Sequence, residues 1–135
     1  MTRLPDWEER LSAYLESAFN QPYADGQNDC LLHCGRAVEA VTGVDHYSRF
    51  VGRYATKRGA LAVMKRLGGD NPEQVLDTLF PERPLGFAQR GDLVLTPDGV
   101  PGVSCGEFAV IVGSDGEREG LIRIPRILWT KAWAI

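Results

Sequence analysis

Histidine is almost missing from this chain. Only His33 and His46 occur in 135 residues, so any imidazole chemistry must run through one of two side chains. Cysteine is nearly as scarce: Cys30, Cys34 and Cys105 make an odd count, a disulfide framework would leave one thiol over, and a reducing compartment is the simpler expectation. No apolar run approaches the ~20 residues that cross a bilayer. The start, Met1-Thr2-Arg3-Leu4-Pro5-Asp6, lacks the apolar stretch of a signal peptide, so the expectation is a chain made and folded in the cytosol without membrane insertion. Excess positive charge is also lacking. A net charge of −3 offers no footprint for nucleic acid or for an acidic membrane. With no internal repeat, low-complexity tract or linker, residues 1–135 read as a single domain with no cofactor implied.

What is present is helical in the first half and strand-like in the second. Asp6-Trp7-Glu8-Glu9 is a cap signal, followed by Trp7, Leu11, Tyr14, Leu15 and Ala18 at helical spacing, and Pro22 ends the pattern. A second helix opens at Asp29 or Cys30 and closes at Gly43. Its apolar residues form two strips, Leu31, Gly35 and Val38 on one and Cys30, Cys34, Ala37 and Val41 on the other, which predicts a largely buried helix. Thr56 caps a third helix, ended by Gly68-Gly69, and Asn71-Pro72 opens a short fourth. From Pro81 onward, Leu93–Leu95, Gly102–Cys105, Phe108–Val112 and Leu121–Ile124 read as strands between Pro97-Asp98-Gly99 and Ser114-Asp115-Gly116 turns, with Trp129 and Trp133 closing the core. Four helices followed by four strands predict an α+β fold, the helices packed on one side of an antiparallel sheet.

The chemistry concentrates in Asn28-Asp29-Cys30-Leu31-Leu32-His33-Cys34. Cys30 falls in the first turn of the second helix, where unsatisfied N–H groups and the helix dipole favour thiolate over thiol, and a pKa below the ~8.5 of a free cysteine is expected. His33 stands three residues on, its Cβ about 5–6 Å away on the same face. That is near enough to depress the thiol pKa but awkward for proton transfer; the alternative is a partly buried histidine making one hydrogen bond. His46 lies in the loop beyond the helix and is a second candidate base, or a surface residue. Cys30, His33, Cys34 and Cys105 together offer four soft or borderline ligands suited to tetrahedral zinc, although Cys-x-x-x-Cys within one helix lacks the turn that usually converges ligands. Buried thiols at Cys34 and Cys105 are the simpler reading, with no metal bound.

Asn28-Asp29-Cys30 at a helix start after a proline-aromatic loop, Glu39-Ala40-Val41-Thr42-Gly43 at its end, and Arg90-Gly91-Asp92-Leu93-Val94-Leu95 opening a sheet together resemble the NlpC-type branch of the papain-like cysteine peptidases. A closer likeness, through Gly52-Arg53-Tyr54-Ala55-Thr56 and the Ala-Trp near the end, is to small proteins of undefined function encoded among phage and prophage tail genes. The resemblance implies an NlpC-like fold, Cys30 at the position of the nucleophile and Asp92 in the sheet-opening motif. It also implies a histidine one strand after Gly-Asp-Leu-Val. Residues 100 to 109 contain none. The expectation is therefore a phage tail or tail-tip component that assembles in the host cytoplasm into the virion, contacts other tail proteins, and carries an incomplete catalytic site. The alternative is an active cysteine peptidase or amidase that cleaves peptidoglycan stem peptides during entry, with Cys30 as nucleophile and His33 or His46 as base. Tyr23, Tyr47, Phe50, Tyr54 and Phe87 are aromatic candidates for a protein interface.

Overall fold

The computed structural model describes residues 2–135. Four helices come first: α1 (Trp7–Ala18), α2 (Cys30–Thr42), α3 (Lys57–Arg66) and α4 (Pro72–Leu79). Six strands follow: β1 (Glu82–Arg83), β2 (Leu93–Leu95), β3 (Pro101–Ser104), β4 (Phe108–Ser114), β5 (Glu119–Pro125) and β6 (Lys131–Trp133). They form one antiparallel sheet in the order β1-β6-β2-β3-β4-β5. The α+β class is as expected, and β2 to β5 are the four expected strands arranged as a meander. β1 and β6 are additional. Each is too short to show a period of two, and β6 becomes a strand because Ala132 and Trp133 find partners on both β1 and β2.

Helix caps match the local chemistry. The side chains of Asp29, Thr56 and Asn71 each accept a backbone N–H three residues on, at Leu32, Gly59 and Gln74. Asp6 makes no such bond, so α1 starts without a side-chain cap. Gly43 closes α2 in the left-handed region at φ 80°.

Helix α2 is the buried axis of the molecule: ten of its thirteen residues are buried, against two in α1, one in α3 and two in α4. It packs on α1 and on β3 and β4. The two strips of apolar residues explain this, because a helix covered on most of its circumference must lie between layers. Gly35 lets the Tyr47–Arg49 3₁₀ turn come close; a Cβ there would lie 2.6 Å from Tyr47 Cβ. The main core joins α2 to Leu93, Leu95, Val103, Val110, Val112, Leu121 and Trp133. Val94, Ala109, Ala132 and Trp129 form a smaller cluster on the opposite side of the sheet. Trp133 thus closes the main core as expected, whereas Trp129 packs on the other face.

Asp92 joins the two ends of the chain. Fully buried, it accepts the Ile135 N–H at 3.0 Å and Arg3 Nη2 at 3.2 Å on Oδ1. Oδ2 accepts the Gln89 N–H at 3.0 Å and lies 2.8 Å from Arg83 Nε. Arg3 also donates to the carbonyls of Ile135 and Arg90. The Arg-Gly-Asp segment that opens the sheet is therefore a structural clamp.

Candidate functional site

Cys30 lies in a cleft of about 340 Å³ at the N-terminus of α2. Leu31, Ala60, Met64, Pro72, Val100 and Val112 make it mostly apolar, and Tyr23, Asp25, Asp29, Tyr54 and Lys57 bring polar groups to it. The Asp29 carboxylate organises the polar side. One oxygen caps α2 through Leu32 N–H at 3.1 Å; the other accepts Gly26 N–H at 2.9 Å and the Tyr54 hydroxyl. A second group sits nearby: Tyr23 donates to Asp25 at 2.6 Å, and Lys57 Nζ reaches the Tyr23 hydroxyl at 3.2 Å. Both tyrosine hydroxyls are held well above their usual pKa by burial and by the carboxylates they bond.

The thiol does not behave as its place on the helix suggests. Burial, and secondarily the Asp29 carboxylate, push Cys30 up to about 12. The N–H groups of Leu31 and Cys30, and Lys57, act in the opposite direction but more weakly. The expected depression of this pKa is corrected on that ground: desolvation penalises the thiolate, and the cap that starts the helix is itself an anion next to the sulfur. At neutral pH Cys30 is a thiol.

Neither histidine lines the cleft among the described residues. His33 is fully buried between α1 and β4, its Nε2 3.0 Å from Val110 O and its Nδ1 2.5 Å from the Tyr14 hydroxyl. A carbonyl only accepts, so Nε2 carries the proton and Nδ1 accepts from Tyr14. Burial lowers its pKa to about 4. Both nitrogens are thus engaged away from Cys30, which leaves His33 no lone pair for a thiol proton. His46 lies in the loop beyond Gly43, edge-on to Phe80 with ring centroids 5.1 Å apart.

Of residues 100 to 109, where the resemblance implies a histidine, Val100 alone among the described residues reaches the cleft. Ser104 is buried, and its hydroxyl accepts the Gly106 N–H; Cys105 sits with Leu15, Phe19, Phe108 and Arg123 in a separate depression. Cys34 is buried in the core. Cys30, His33, Cys34 and Cys105 are therefore not brought together, and among the described residues no three His, Cys, Asp or Glu side chains converge as a metal site would require. Tyr54, Tyr23, Asp25 and Lys57 join the cleft through tertiary contacts that local sequence patterns do not signal. Tyr54 is 25 residues from Asp29, and the only available signal was a tyrosine in the Gly52–Thr56 segment.

Fold and site together define an α+β domain with a cysteine at the start of its central helix and a tyrosine–carboxylate network beside it. Residues 2–135 match the Domain of unknown function (DUF6950), and the chain belongs to that family. No curated protein and no solved structure matches it.

Proposed function

We propose that this protein is a phage or prophage tail component, placed at or near the tail tip, with an NlpC-like fold whose nucleophile position is occupied but not activated. The observation that carries this reading is the setting of Cys30: its cleft is walled by Asp29, Val100 and Val112 and, among the described residues, by no imidazole. A Cys–His mechanism needs a base that takes the thiol proton and returns it to the leaving amine, and loss of such a group typically removes about 10²–10⁴ in rate. The tail assignment is supported by the resemblance of the Gly52–Thr56 segment and of the Ala-Trp near the end to proteins encoded among tail genes.

Two measurements test it. Purified protein incubated with peptidoglycan should release no new amino groups. Release that disappears in Cys30→Ala would establish the peptidase or amidase reading instead. Coexpression with the neighbouring tail genes should yield a complex that co-purifies with this chain; persistent separation from every tail protein would contradict the tail assignment.

A further inference from the structure

Charge is placed unevenly on this molecule. Residues 46–69 hold six basic side chains, Arg49, Arg53, Lys57, Arg58, Lys65 and Arg66, and no acidic one. The rest of the chain has nine basic residues against eighteen acidic, a net of −9, so the overall −3 conceals a positive region on a negative body. Among the loop aromatics expected at an interface, Phe50 is buried, Tyr47 packs on Gly35, and Tyr23 and Tyr54 line the cleft. The surface with the stronger claim is the charged one.

Helix α3 turns four of the six basic residues onto one face. Lys57, Arg58, Leu61, Ala62, Lys65 and Arg66 recur at i, i+1, i+4, i+5, i+8 and i+9, the spacing of a single helical face, and all are exposed. The opposite face is used for packing: Val63 is buried, Met64 joins the main core and Ala60 lines the cleft. A face that only keeps a helix in water mixes both signs and pairs them at i, i+4. Here no acidic residue lies in the helix or at its caps.

Two further observations set these residues apart. Each of the nine basic residues outside the segment is held by a hydrogen bond, an ion pair or an aromatic ring. Within it, among the described residues, only Lys57 has such a partner, at 3.2 Å from the Tyr23 hydroxyl and 3.9 Å from Asp25. The charges also oppose their own helix, because Lys57 and Arg58 occupy the first turn, at the positive end of the macrodipole. Departures from local stability rules with no compensating contact inside the chain belong to functional surfaces.

We propose that the outer face of α3 docks an acidic helical segment of another protein, one carboxylate pair meeting Lys57 and Arg58 and a second meeting Lys65 and Arg66. The two basic pairs stand eight residues apart, about 12 Å along the axis. Between them lie Leu61, 37% exposed, and Ala62, which offer an apolar contact and no donor. The matching segment is a short amphipathic helix with Glu or Asp at i and i+8 and an apolar residue at i+4. The guanidinium groups of Arg58 and Arg66 suit carboxylates, which they can bind through two parallel hydrogen bonds. A nucleic-acid duplex fits less well: its charges recur every ~1.7 Å without interruption, and it would run past the ~15 Å of α3 onto the negative body. An acidic bilayer meets the same repulsion, and one partly exposed leucine gives it little to insert. The proposal does not depend on what Cys30 does.

Fluorescence anisotropy tests it, with the full chain and a labelled helical peptide that carries glutamate pairs eight residues apart around a central leucine. Binding is expected at low ionic strength and should weaken steeply toward ~0.5 M salt. Arg58→Glu combined with Arg66→Glu should raise the dissociation constant at least ~10-fold. Arg58→Glu alone should also weaken binding while Tm stays the same or rises slightly, since glutamate in a first turn complements the dipole. That pairing of effects separates a lost contact from a damaged fold. Absence of peptide binding by the wild-type chain overturns the proposal, as does binding indifferent to the double substitution or to replacement of the peptide's glutamates by glutamine. Tighter binding of duplex DNA or of phosphatidylserine vesicles, lost in the same double variant, overturns it in favour of a phosphate-bearing partner.

Discussion

His33 shows how a residue that looks chemical in sequence becomes structural in the fold. Its imidazole links Tyr14 of α1 to the Val110 carbonyl of β4, with α2 between them. The folded state keeps it neutral down to about pH 4, while an unfolded chain protonates it near 6.5. Below 6.5 the unfolded state therefore binds more protons, and stability falls as pH falls toward 4. The contribution is fully present above 6.5, and its loss amounts to roughly 3 kcal/mol over that window. Denaturant titrations at several pH values should show this slope, and His33→Gln, which cannot titrate, should flatten it. An unchanged slope in the variant would mean that His33 is not the group responsible. At Asp29 the prediction concerns charge alone: Asp29→Asn keeps a capping oxygen but removes the anion beside Cys30, so alkylation of Cys30 at fixed pH should accelerate. A slower rate would show that the carboxylate does not hold the thiol protonated.

Helix α2 carries the argument at the scale of elements. Its start at Asp29, its end at Gly43 and its burial were all legible, because capping and periodicity are local and this helix obeys both. The strands were legible where they alternate, as in β4 and β5, or form an apolar run, as in β2, and illegible in β1 and β6, whose existence depends on pairing with residues 36 to 51 positions away. The site divided in the same way. Cys30 could be placed from the cap signal, but the direction of its pKa shift could not, since burial and the Tyr54–Asp29 contact are tertiary. Gly35 gives a test of the packing around α2. Alanine normally gains about 1 kcal/mol over glycine within a helix. Here its Cβ would meet Tyr47 Cβ at 2.6 Å and Tyr47 Cα at 3.2 Å, against backbone that must shift. Such overpacking costs about 1–3 kcal/mol and outweighs the propensity gain. Gly35→Ala should lower Tm by several degrees, whereas Gly86→Ala, where no atom lies within 4 Å, should have little effect. A Gly35→Ala protein as stable as the wild type would contradict the close approach of the Tyr47 turn.

For the molecule as a whole, Asp92 holds residues near both ends against the start of β2. It is the buried acceptor for Arg3, Gln89 and Ile135 and the ionic partner of Arg83. Removing one member of such a set leaves charges without their partner, so Asp92→Ala should cost about 3–5 kcal/mol by chemical denaturation. A loss below ~1 kcal/mol would show that the clamp is not needed. With the fold closed in this way, the remaining question is whether the cleft at α2 is a catalytic centre or a retained shape. Its answer lies in the Cys30 thiol. The most direct measurement is the rate of Cys30 alkylation by iodoacetamide as a function of pH, followed by mass spectrometry of the Cys30 peptide in folded protein. The expected rate is low at neutral pH and still rising at the alkaline limit of the folded state, with no inflection below the ~8.5 of a free cysteine. An inflection at or below pH 7, with fast alkylation already at neutral pH, would mean an activated thiolate and would contradict it.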